Sequence, residues 1–148
     1  MAANAAGICT SFKVEMLQGF HALSSAFRAA DTLKAALYLQ SQSIGPATTV
    51  YSVTGEVSGS GYTAGGVTVA NATAPTSSGT TAYWTPSASI SYSGVTLGSA
   101  FDCWLLYNSS QSNRAILAAT FAAQTITAGN FVITMPTNAA GSALINAT

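Results

Sequence analysis

The chain has 148 residues, the size of one domain and enough to bury a core without a metal or a disulfide. Only 5% are Asp, Glu, Lys or Arg, against a usual ~25%, while 49% are hydrophobic and the formal net charge is zero. That balance argues against disorder, and four scattered bases argue against nucleic acid, which is bound through clustered Lys or Arg.

Met1-Ala2-Ala3-Asn4-Ala5-Ala6-Gly7 has neither a basic region nor a long apolar run, so it does not read as a signal peptide. No later stretch approaches the ~18 uninterrupted apolar residues of a membrane span. Cys9, Phe12, Met16, Phe20 and Leu23 recur at spacings of three and four, with Lys13 and Glu15 off that line. This is the helical period, and it predicts a short amphipathic helix over about 9–22 whose apolar stripe needs covering. Thr10 or Ser11 is placed to cap its start, and Glu15 falls in its first turns, where it suits the positive end of the dipole. Gly19 weakens its middle by about 1 kcal/mol relative to Ala.

After about residue 30 the period becomes two. Leu33, Ala35, Leu37 and Leu39 alternate with Lys34, Ala36, Tyr38 and Gln40, the pattern of a strand with one buried face. Further strands are predicted at Thr49–Thr54, Gly66–Thr73, Thr80–Thr85, Ser87–Ser93, Phe101–Tyr107, Ala115–Phe121, Phe131–Met135 and Ala143–Asn146. The breaks between them carry turn chemistry, as in Ser58-Gly59-Ser60-Gly61, Pro75-Thr76-Ser77-Ser78-Gly79, Asn108-Ser109-Ser110 and Ala128-Gly129-Asn130. Phe101–Tyr107 is apolar on both faces, as a central strand would be, and is expected to pair with Ala115–Phe121 as a hairpin. Pro86 puts a bend or an edge between its flanking strands. The fold class is therefore mainly β: an antiparallel β-sandwich, with the jelly-roll as its candidate form, and one short N-terminal amphipathic helix. The chain reads as a single domain, 1–148, in which the helical segment 1–30 packs on or beside a sandwich of residues 31–148.

Catalytic chemistry has little to draw on. His21 is the only histidine, and a triad of some Ser with His21 and Asp31 or Asp102 has no supporting motif. Glu15, Asp31, Glu56 and Asp102 are too few and scattered to suggest an acid/base pair. Cys9, Cys103 and His21 lack the close paired spacings of zinc ligands, and the two cysteines read as buried thiols. Gly59-Ser60-Gly61 and Gly65-Gly66 lack the following helix and Lys of a phosphate loop. No catalytic residue, metal site or cofactor is assigned, and the chain reads as non-enzymatic.

A neutral, hydroxyl-rich surface costs little to desolvate and suits burial against neighbours, so a homo-oligomer or a subunit of a larger assembly is expected. Aromatics are what such interfaces favour. Phe12, Glu56, Tyr62, Tyr83 and Trp84 are the contact candidates, with Tyr62, in its Gly-rich loop, foremost. Glu56 is placed either to bond a partner or to serve an internal role.

Three stretches carry a resemblance: Gly7-Ile8-Cys9-Thr10-Ser11-Phe12-Lys13-Val14-Glu15-Met16-Leu17-Gln18-Gly19-Phe20-His21, then Gly55-Glu56-Val57-Ser58-Gly59-Ser60-Gly61-Tyr62-Thr63-Ala64-Gly65-Gly66, then Leu105-Leu106-Tyr107-Asn108-Ser109-Ser110 followed by Asn113-Arg114-Ala115. In order and spacing they resemble a group of small structural virion proteins of tailed bacteriophages, across most of the chain. The resemblance implies no catalytic residues. It implies a virion component assembled in the bacterial host cytoplasm, with the major capsid protein or other virion subunits as partners. A capsid decoration or cement protein is the leading expectation, stabilising the shell by binding only its assembled form. A tail tube, adaptor or fibre-attachment protein is the second. A carbohydrate-binding host-attachment module, stacking sugars on Trp84, Tyr62 or Tyr83, is the third.

Overall fold

A computed structural model describes residues 3–148. Those residues form β1 (Gly7–Ile8), α1 (Thr10–Leu17), β2 (Leu33–Leu39), β3 (Val67–Thr68), β4 (Thr76–Ser78), β5 (Thr81–Trp84), β6 (Ile90–Asn108), β7 (Arg114–Ile133) and β8 (Ile145–Ala147). The fold is mainly β, with two antiparallel sheets and one short helix. The larger sheet has the order β1-β7-β6-β2-β3 and the smaller β4-β5-β8. Both feed one core: Trp84 and Ile145 of the small sheet are buried in the same cluster as Leu37, Leu97 and Leu105 of the large one. This is sandwich-like packing, but a division into five and three strands gives no support to a jelly-roll, which has two four-stranded sheets.

A single long hairpin, β6–β7, organises the molecule. Four strands expected from the sequence fuse here into two. The expected pairing of Phe101–Tyr107 with Ala115–Phe121 is present, with Leu105 opposite Ala118 and Tyr107 opposite Ala115. Ser112 and Asn113 take left-handed conformations at φ 52° and 60° to close the turn. Ala128-Gly129 looks like a turn in sequence, yet it and Gly94-Val95 both sit at breaks of register inside continuous strands. The extra residues are absorbed as bulges, which increase twist without ending the pairing.

The helix differs from its expected form in extent and in face. It ends at Leu17, because Gly19 takes φ 72° and closes it in a Schellman motif. The Phe20 N–H donates to the Glu15 carbonyl and the Gly19 N–H to the Met16 carbonyl, both at 3.1 Å. Gly19 is thus a terminator, not a weak point in the middle. Cys9, not Thr10 or Ser11, occupies the N-cap, and its side chain makes no capping bond. The buried helix positions are Phe12 and Glu15, while Met16 and Phe20 are 37% and 39% exposed. Other expectations also shrink or move. Thr49–Thr54 contributes only an isolated bridge at Val50, Gly66–Thr73 only β3, and Thr76–Ser78, read as a turn, is β4.

Candidate functional site

The turn end of the hairpin gathers four of the chain's eight charged residues. Glu15, on the inward face of α1, accepts hydrogen bonds from Arg114 at the start of β7 and from His21 Nε2 at 2.8 Å. Asn108, at the end of β6, donates to His21 Nδ1 at 3.0 Å and to Asp31 Oδ2 at 2.7 Å. Because Asn108 donates, Nδ1 must accept, and the imidazole proton sits on Nε2. Asp31 also accepts from the Ala22 N–H at 2.8 Å, from Gln111 and from Arg28. Arg28 in turn donates to the Phe20 carbonyl, and Arg114 lies 4.7 Å over the Phe20 ring.

The electrostatics follow from this wiring. Burial pushes both carboxyls up, but the hydrogen bonds and charges around them more than offset it. Glu15 is held below its ordinary range by His21 and Arg114, and Asp31 by the Ala22 N–H, Asn108, Gln111 and Arg28. The His21 side chain is 1% exposed and both its nitrogens are committed, so neither is open to a substrate. The network holds residues 18–32, which lack helix or strand, against the hairpin. In sequence these carboxylates are scattered. Glu15 stands three residues after Phe12, on the same helix face, and that spacing was the one available clue.

An apolar surface overlies this network. Leu17 is 92% and Phe27 99% exposed, and Phe20 and Met16 are partly so. Next to them opens a groove of about 570 Å³ lined by Met16, Ala22, Leu23, Phe27 and Pro75, with Arg28 at its side. Large side chains rarely stand this free in groups on a monomer, and such patches mark contact sites.

The contact candidates named from the sequence lie elsewhere, and three require correction. Phe12 is fully buried with its ring 4.8 Å from His21, and Trp84 is 1% exposed with its indole N–H donating to the Thr73 carbonyl at 2.8 Å. Glu56 is buried and saturated, accepting from Tyr51 and Tyr62 hydroxyls at 2.6 Å each and from the Gly65 N–H at 2.8 Å. These groups are consumed by the chain's own packing and have no free face for a partner or a sugar. The Gly-rich loop is likewise turned inward. Tyr62 is partly buried, accepts the Leu37 N–H at 3.0 Å and stacks on Tyr92. Burial pushes the Tyr62 hydroxyl up, and its bond to Glu56 adds to this. Tyr83, half-buried on β5, also keeps part of its surface open. Sequence reading missed Leu17 and Phe27, because exposure is not a property of residue type.

Cys9 and Cys103 are free and buried. Burial raises the Cys9 thiol to about 11 and the Cys103 thiol to about 12, so both are protonated and unreactive at neutral pH. No protein-family model, curated protein or solved structure matches the chain.

Proposed function

We propose that this protein is a structural subunit of a tailed-phage virion that works by binding neighbouring subunits, in the manner of a capsid decoration or cement protein. The observation that carries the binding reading is the fully exposed Phe27 lining an apolar groove. The surface carries little negative charge, because all four carboxylates bond inside the chain, Glu15 to His21 and Arg114, Asp31 to Asn108, Glu56 to two tyrosines and Asp102 to Asn4, and the charge left open at the groove is that of Arg28. Such a surface loses little on desolvation. The phage context rests on the resemblance of the three sequence stretches. In this reading the N-terminal surface receives an apolar segment of a neighbouring virion subunit, and binding stabilises the assembled shell by mass action.

Copy number in purified virions, measured by quantitative gel densitometry, tests the reading. Hundreds of copies per particle are expected; about six or twelve would replace the cement role with a tail adaptor, and absence from the particle would end the virion reading.

A further inference from the structure

The outer side of β7 is covered near the hairpin turn by β1 and by a bridge from Val50 to Arg114. From residue 119 to 133, no strand or bridge lies on that side among the described residues. The matching stretch of β6 is not open, since Ser60 bridges to Thr96. Gly59 and Gly61 permit that approach: a Cβ on either would meet the carbonyl oxygen of Thr96 or Gly94.

Natural sheets guard open edges with Lys, Pro, charge or cover. Residues 119–133 contain no charged residue and no Pro. Their one protection is bulging, at Thr127–Ala128 and around Ala122, which bends the edge into short pieces. Beyond the last of these lies Gly129–Ile133, an ordinary strand length, opposite which β6 carries an extra residue between Tyr92 and Val95. It is rigidly backed. Phe131 contacts Tyr92, Phe101 and Phe121 at ring-centroid distances of 6.0, 5.2 and 5.2 Å, and Tyr92 stacks in turn on Tyr62. A pre-ordered edge loses little entropy on pairing. Next to its central Phe131, Val132 is 50% exposed.

We propose that Gly129–Ile133 pairs antiparallel with the same stretch of a second copy, about a twofold axis at Phe131, so that two large sheets become one. Main-chain donors and acceptors of an antiparallel edge are self-complementary about such an axis. The register sets Phe131 opposite Phe131, Asn130 opposite Val132 and Gly129 opposite Ile133. An aromatic pair falls at the centre and no like charges meet. A charged partner would gain nothing from this neutral edge, whereas its own copy loses nothing there. The pairing does not depend on the virion reading, and each can fail alone.

Sedimentation velocity of the purified protein at micromolar concentration is expected to show a dimer. Val132→Lys should make it a monomer with an unchanged circular dichroism spectrum. Val53→Lys, at an exposed valine elsewhere, should leave the dimer intact. The double variant Asn130→Cys/Val132→Cys should form a covalent dimer on mild oxidation, while the wild type, with both native thiols buried, should not. A monomeric wild type, a dimer that survives V132K, or a double variant that does not cross-link overturns the proposal. If V132K does not fold, the cysteine pair decides.

Discussion

At the turn end of the β6–β7 hairpin, Asn108 and Arg114 draw Glu15, His21, Arg28 and Asp31 into one buried polar network. At the far end, where Ile90–Leu97 pairs with Ile126–Ile133, the strands contain no Asp, Glu, Lys, Arg or His, and aromatic rings hold the layers together. The contrast shows two uses of polarity in a chain with few charges. Directional bonds at one end place a segment that has no repeating structure of its own. Neutrality at the other end leaves an edge that nothing repels.

Truncation at the aromatic end should have the largest effect on stability. Phe101 is fully buried and meets Phe121 and Phe131 edge-on. Phe101→Ala should lower unfolding free energy in urea by about 4 kcal/mol, through lost burial and the cavity left behind. At the charged end, Asp31→Ala strands the Asn108 and Gln111 amides and the Ala22 N–H. It should lower stability by about 3 kcal/mol and the melting temperature by roughly 10 °C. Equal small losses from both variants would mean that neither end is held as described.

Acid should separate the two ends without mutation. Glu15 and Asp31 are both held below their ordinary values, so the unfolded chain binds protons more readily than the folded one. Their stabilisation is complete above the ordinary carboxylate range of about 4 and is lost as pH falls below it. Titration followed by NMR should perturb the Ala22 and Asp31 amides first, while amides of Leu97 and Phe131 hold. Simultaneous change at both ends would break the comparison. The smallest effect is expected at Phe27, which is 99% exposed. Phe27→Ser should change stability by no more than about 0.5 kcal/mol, yet reduce incorporation into virions measured by densitometry.

Much of the β architecture was legible in the sequence. Alternation in Leu33–Leu39 and the apolar run at Phe101–Tyr107 both mark strands that form, and they pair with each other, Leu37 opposite Trp104. The candidate contact residues were not legible. Trp84 and Tyr62 look like interface aromatics by type, but a neighbour within the chain claims each one. Glu15 looked like a helix-start acid and proved to be an inward-facing group in the last turn, because the helix is shorter than its apolar spacing suggests.

By itself, then, the sequence determined what depends on local chemistry: a β-rich chain from alternation, a single N-terminal helix from its spacing, and a near-neutral surface from composition. Tertiary structure alone decided that the turn signal at Ala128-Gly129 became a bulge, since those residues can serve either purpose until the partner strand is in register. It also decided where the charges went. Arg114 and Glu15, 99 residues apart in sequence, meet only because the hairpin turn and α1 pack at the same end of the sheet. Periodicity reports which face of an element is buried, but not what waits on the other side of the interface.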